Sequence, residues 1–344
     1  MINFVLLFLN MDSLTQIVLG AAVGNEILGK KLGNKAVLYG AIAGTIPDLD
    51  VLYGEFLDPI SAVDIHRGFS HSVVFFLLLS PLLAFLLTKL EKKKGITFKE
   101  ATVFWFLGLL THALLDFFTT WGTQLLWPLE TRFSLQSIFV VDPLYTLPFL
   151  TFLLLSMRKK NTFEKRKFWN RTGLVISTSY LFFTLFVQSL ALQKFEKQLA
   201  ENQISYKEIV VKPSPFNIIL WTTNVKVENG YWIGDYSFLD TKPIQFQFIP
   251  TQNELIEDKK NAPVVCQLKR MSEGWYCLTE KNGELLFNDL RFGLMNNDPD
   301  NLIFAFSYKF HQEGKQLKAM ELPNKNRAEA QKLLAKLWTR LKGN

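Results

Sequence analysis

The chain has 344 residues, a formal net charge of +7 and 49% hydrophobic residues, including 31 phenylalanines. A water-soluble domain would need an unusually large core to hide that much hydrocarbon, whereas a bilayer accepts it directly. The basic residues fall in short loops between apolar runs and not on one surface with aromatic platforms, which argues against a nucleic-acid partner.

The first ten residues, MINFVLLFLN, resemble a signal sequence in hydrophobicity but lack its basic start and small-residue cleavage site, so they are read as uncleaved. Met11 opens the stretch MDSLTQ and is an alternative start. Apolar segments near 14–29 and 35–53 predict two membrane spans, the second interrupted by PDLD. Ser72 to Leu90 and Trp169 to Leu192 each supply the roughly 20 apolar residues that a crossing needs. Segments near 100–119 and 141–157 bring the count to about six. Gly20-x-x-x-Gly24 and Gly40-x-x-x-Gly44 predict helices that approach closely.

Loops rich in lysine and arginine stay in the cytoplasm. Lys30, Lys31 and Lys35 follow the first span, and Lys89, Lys92, Lys93, Lys94 and Lys99 follow the third. Arg158, Lys159, Lys160, Lys165, Arg166, Lys167 and Arg171 follow the fifth, while the loops after the second and fourth hold only Arg67 and Arg132. The expectation is a protein of the bacterial cytoplasmic membrane whose second and fourth loops, and everything after Leu192, lie outside.

The chain thus divides into a transmembrane helical domain, 1–192, and an extramembrane β-rich domain, 193–344, closed by a helix over Ala328 to Leu341. The fold class is mainly α, a polytopic bundle followed by a small α+β domain. Asn229-Gly230 and Asn282-Gly283 mark hairpins in the second part. Cys266 and Cys277, with strand-like flanks, are either a cross-hairpin disulfide or two separate buried thiols. His311 is expected alone on the surface.

Charged side chains inside a bilayer cost roughly 2.5 kcal/mol or more each, so those that remain there are usually paired or functional. In GTIPDLD, Pro47 breaks the second span and leaves Asp48 and Asp50 beside the break, where their oxygens can converge on a cation or cap a helix. In THALLD, His112 and Asp116 are four apart and share a helix face, as joint ligands or as a private hydrogen-bonded pair. In HRGFSHS, His66 and His71 are five apart, about 140° around a helix. Gly68 permits a turn that lets both face one cavity, with Ser70 capping the following span. Asp48, Asp50, His66, His71, His112 and Asp116 therefore form a candidate ligand set for one or two divalent ions.

MDSLTQIVLGAAVG, PDLD, HRGFSHS and THALLD, in this order, resemble the YdjM-related family of membrane-bound metal-dependent hydrolases over roughly residues 11–150. The resemblance implies a hydrolase of the bacterial cytoplasmic membrane with these His and Asp residues as ligands. Its first motif reads M-D-x-x-T-H, and this chain carries Gln16 where the last histidine would stand. Gln16 is then a residue behind the ligands, or the site holds one ion or a harder one.

The leading expectation is a hydrolase in which zinc or manganese activates water. Asp50 or Asp116 would serve as general base, Arg67 would hold an anionic substrate group, and Asp142 would add an outer carboxylate. The outward-facing site suggests a lipid-like substrate, a phosphoester or acyl ester drawn from the membrane. An ion-coupled transporter, or a membrane anchor for a partner-binding β-domain, is the alternative.

Overall fold

The computed structural model describes the backbone of residues 4–296, 302–322 and 327–344, and the side chains of 13–295, 302–322 and 331–344. The chain opens with a hairpin of α1 (Phe4–Leu32) and α2 (Asn34–Thr45). The seam between them is built on glycine. A Cβ on Gly20 would lie 2.3 Å from the Gly40 carbonyl oxygen, and one on Gly44 would lie 2.3 Å from that of Gln16. The helices therefore touch backbone to backbone, the packing that the small-residue repeats predict.

Pro47 ends α2 as expected, because it has no N–H to donate back into the preceding turn. A 3-10 turn, Pro47–Leu49, leads into α3 (Asp50–Gly54), and Asp58 caps α4 (Pro59–Ile65). A second 3-10 turn, Phe69–His71, precedes α5 (Val73–Leu90). The cap of α5 is Ser72, which accepts from Phe75 N; Ser70 has a different task, described below. A Thr97–Glu100 capping box starts α6 (Phe98–Asp116). A long loop then reaches α7 (Pro143–Ser156), and α8 follows over Phe163–Glu201.

Among the described residues three helices, α5, α6 and α8, are long and apolar enough to cross a membrane. The six segments read from the sequence all contain helix, but α2 and α7 have only 12 and 14 residues. At 1.5 Å per residue these reach about 18 and 21 Å, short of a hydrocarbon core of about 30 Å. Polar contacts tie the bundle together at depth. Thr15 meets Thr146 at 2.7 Å, and Asn25 Nδ2 donates to Ser156 Oγ and Asn170 Oδ1, each at 3.0 Å.

The compositional boundary at residue 192 falls inside α8, which continues to Glu201. Its last turns bury Ala191 and Phe195 against Trp221 and Val211 of the first extramembrane sheet. That sheet is the antiparallel meander β1 (Glu208–Pro213), β2 (Leu220–Lys226), β3 (Gly230–Ser237) and β4 (Phe246–Pro250). Helix α9 (Pro263–Met271) leads into a second meander: β5 (Tyr276–Lys281), β6 (Glu284–Asn296), β7 (Ile303–Glu313) and β8 (Gln316–Glu321). Helix α10 (Arg327–Leu341) follows. The β5–β6 turn places Asn282 and Gly283 at φ of 54° and 75°, the left-handed pair that an Asn-Gly hairpin favours.

The cysteine expectations need correction, since Cys266 and Cys277 are both free and only Cys277 is buried. Cys266 lies on α9 and not on a strand. That helix buries Val265, Leu268 and Met271, so the adjacent position is turned outward. His311 sits half-buried on β7, opposite Lys318 of β8.

The second sheet docks onto α4 and the α6–α7 loop. Ile60 of α4 is buried with Val265, Leu268 and Phe287 in one hydrophobic cluster, and Asp64 pairs with Arg270. Trp121 of the α6–α7 loop packs on Phe292 and Phe306, with ring centres 5.1 and 6.3 Å away. Gln188 of α8 donates to Leu135 O, Gln136 O and Val211 O, and so joins that loop to β1.

Candidate metal centre

The α1–α2 seam fixes one wall of a polar chamber, because Gly44, at the end of α2, accepts from His112 Nδ1 of α6 at 2.7 Å. A carbonyl can only accept, so Nδ1 carries the proton and Nε2 of a neutral ring presents its lone pair to the interior. His71 is oriented by similar logic. The Ser70 hydroxyl donates to Asp50 Oδ2 at 2.6 Å and therefore accepts from His71 Nδ1 at 2.9 Å, which again turns Nε2 inward. The two Nε2 atoms lie 3.1 Å apart.

Two carboxylate oxygens complete the group. Asp48 Oδ1, on the turn after Pro47, is 3.3 Å from each Nε2, and Asp116 Oδ2 is 3.4 Å from each. Asp48 Oδ1 and Asp116 Oδ2 are buried and make no hydrogen bond, although the imidazoles are this near. With both rings neutral, four electron-rich atoms converge, an arrangement that a cation satisfies. Five of the six separations in the group are 3.1 to 3.4 Å, close to the roughly 3.3 Å between neighbouring donors that each stand about 2.0 Å from a tetrahedral zinc. Among the described residues Asp48, His71, His112 and Asp116 form the group that could hold a metal ion, their ligand atoms all within 4.8 Å of one another.

The other two expected ligands stand just outside this group. Asp50 Oδ1 contacts His66 Nδ1 at 2.8 Å, and its second oxygen accepts from Arg67 N at 3.1 Å and from Ser70. Asp50 thus supports His71 from behind, and His66 is its partner. Gln16 also works from behind: its amide donates to Asp116 Oδ1 at 2.8 Å and to His112 O at 3.3 Å. Arg67 is not a free cation of a loop. It is buried, with one guanidinium nitrogen 3.2 Å from Asp116 Oδ1 and the other 3.1 Å from Thr119 Oγ1.

Asp142 has a different role from the outer carboxylate expected. It caps α7, accepting from Leu144 N at 2.8 Å and Tyr145 N at 3.3 Å, and it also accepts from the Tyr180 hydroxyl. Sequence reasoning missed Ser70, Thr119, the Gly44 carbonyl and the cover over the site. Only Ser70 left a signal, by lying inside HRGFSHS. The cover joins Arg132, which donates to His66 O at 3.0 Å and Asp64 O at 2.6 Å, to Arg291, whose guanidinium lies 5.4 Å from the Trp121 ring centre. Burial and the neighbouring Arg291 pull Arg132 down to about 10.

Access is uneven. His71, His112 and Asp116 have no more than 1% of their surface exposed, whereas the Asp48 side chain is 20% exposed. The Asp48 side chain is thus the member of the group nearest the surface, while its Oδ1 is itself buried.

Residues 11–194, more than half of the chain, match the family described as YdjM inner membrane protein. A 139-residue stretch is 32% identical to the inner membrane protein YbcI of Escherichia coli (strain K12), over 38% of this chain and 76% of that relative. No solved structure matches. The matched region contains all four members of the metal-capable group and ends before the sheets begin.

Proposed function

Because the chain belongs to the YdjM family of inner membrane proteins, we propose that it is a metal-dependent hydrolase working from within the membrane. The observation that carries this reading is the convergence of Asp48 Oδ1, His71 Nε2, His112 Nε2 and Asp116 Oδ2, with both imidazoles already held from behind. Two nitrogens and two oxygens suit zinc or manganese. A divalent ion there would supply a Lewis acid that makes water more acidic and polarises the bond under attack.

The protein's own groups divide the remaining work. The Gly44 carbonyl, Ser70 and Gln16 fix the orientation of the four donors. Asp116 is closed in by Gln16 and Arg67, and Asp50 stands behind His71, so Asp50 would take a proton from water through its partner His66. The Arg67 charge, beside Asp116, steadies the negative charge that develops as an ester is attacked. No G-x-S-x-G sequence offers a serine nucleophile, which favours water as the attacking group.

The topology that accompanies this reading has six helices entering the bilayer, the basic loops in the cytoplasm and the β-domain outside, so that the site opens toward the outer face. Elemental mass spectrometry of the detergent-purified protein tests the metal assignment. We expect about one equivalent of zinc or manganese in the wild type, lost in a folded His71→Ala, His112→Ala variant. Metal at the same level in both proteins would sink the reading. Hydrolysis of phosphoester and acyl-ester lipids is then assayed on the loaded protein.

A further inference from the structure

An apolar groove of about 240 Å³ lies between α1 and the end of α2. Its walls are Ile17, Ala41, Ile42, Thr45, Ile46 and Leu49. The single hydroxyl in that wall, on Thr45, is turned back onto Ala41 O at 2.9 Å, so the groove offers hydrocarbon only. Ile42 and Leu49 are 42% and 48% exposed on its rim.

Depth decides what fills it. Helix α2 starts beside the loop at Gly33 and has 12 residues, so Thr45 stands about 18 Å from that loop, within a hydrocarbon core of about 30 Å. At that level the solvent is lipid, so an acyl chain is the occupant that such a groove would take. Position decides what the chain belongs to. Ile17 adjoins Gln16, which holds Asp116, and Leu49 stands between Asp48 and Asp50. Leu49, on the groove wall, is thus the chain neighbour of Asp48, whose side chain is 20% exposed although its Oδ1 is buried. Beyond it, Leu52, Tyr53 and Phe56 of the α3 region are 55%, 62% and 85% exposed and continue the apolar track outward.

We propose that the substrate is a membrane lipid that enters sideways from the bilayer, with one hydrocarbon chain in this groove and its ester at Asp48. The inference rests on the metal-hydrolase reading above for the identity of the reacting end. The groove selects for a chain, so a water-soluble ester with the same head group is a poor ligand.

The test uses the full-length protein in detergent, loaded with cobalt, whose visible absorption reports on the ligand set. Dipalmitoyl phosphatidic acid and inorganic phosphate are titrated separately. The lipid is expected to perturb the spectrum at least about tenfold more potently than phosphate, the effect of roughly two buried methylenes. An Ala41→Leu, Thr45→Leu variant, which fills the groove, should lose that advantage and keep the phosphate response. Ile42→Trp on the exposed rim narrows the groove without entering the core and repeats the test if the double variant misfolds. Equal lipid responses in wild type and variant, or phosphate as potent as the lipid, would overturn the proposal. If wild-type protein binds no cobalt, the hydrolase reading fails and lipid retention seen by native mass spectrometry judges the groove alone. One lipid kept by the wild type and lost from the variants supports it, and equal retention overturns it.

Discussion

Replacing Gly44 with alanine tests whether the α1–α2 seam positions the metal-capable group. The new methyl would stand 2.3 Å from Gln16 O and 3.2 Å from Gly20 Cα. Ordinary contact begins near 3.4 Å, so the helices must part by about 1 Å. That movement displaces two supports together: Gly44 O, which holds His112 at 2.7 Å, and Gln16, which holds Asp116 at 2.8 Å. Loss of such outer supports weakens metal binding by about 10- to 100-fold. The variant also carries an overpacking cost of about 1–3 kcal/mol. Gly24→Ala is the control, because its methyl would lie 2.3 Å from Ala36 O and clash as severely, yet Gly24 is eight residues from Gln16, about 12 Å along α1. Metal affinity by chelator competition and thermal unfolding in detergent are measured on both variants. Similar destabilisation is expected, with weakened metal binding in Gly44→Ala alone. A folded Gly44→Ala protein that binds metal like the wild type would refute the reasoning.

Further outcomes follow from other parts of the molecule. Asp116→Asn removes one of the four donors and leaves Arg67 buried without its carboxylate, so metal should be lost and stability should fall by about 3–5 kcal/mol in a chemical-denaturation series. Cys266 is exposed and Cys277 buried, with its thiol pushed up to about 12 by burial, so a membrane-impermeant maleimide should label only Cys266. Labelling in intact cells would place the β-domain outside, and labelling only after lysis would contradict the topology. Burial lowers Lys212, bonded to Leu290 O, to about 7 from 10.5. The unfolded chain therefore holds more protons between those values, so β-domain stability should rise with pH through that window. Lys212→Met should flatten the dependence in urea titrations followed by tryptophan fluorescence. At the docking face Ile60→Ala should cost about 2–5 kcal/mol and Asp64→Asn under about 1 kcal/mol, because one empties a cluster and the other breaks an ion pair whose Arg270 is half exposed.

Local spacing made part of the site legible. His112 and Asp116 sit one turn apart on a helix wherever that helix goes, and Pro47 had to break its span for want of an N–H. Asp48 and Asp50 were equivalent on paper. What separates them is the passage from the 3-10 turn into α3, which sends Asp48 to the imidazoles and Asp50 to His66 and Ser70. No spacing rule yields that difference. The meeting of His71 with His112 was equally hidden, since it depends on how α5 and α6 pack and on a carbonyl contributed by α2. Gln16 looked like a damaged ligand because position alone cannot tell an acceptor from a donor. Its amide N–H groups make it a support for Asp116. The docking of the second sheet over His66 left no trace in sequence, because Trp121, Arg291 and Phe306 come together only through tertiary contact.

Charge gives a second argument for the divalent ion proposed in this chamber. Asp48, Asp50 and Asp116 bring three carboxylates to one region, and Arg67 answers one of them. With the three imidazoles neutral, two negative charges remain, the complement of one divalent cation. In water such an imbalance would be screened, but in a buried site it is costly enough that a protein with no use for the ion would gain by replacing the carboxylates with hydrocarbon. Neutral imidazoles cannot supply the missing charge, and their Nδ1 protons already serve Gly44 O and Ser70 Oγ. A divalent cation would balance this group, and the lipid groove proposed above shares Leu49 with the stretch that carries Asp48 and Asp50.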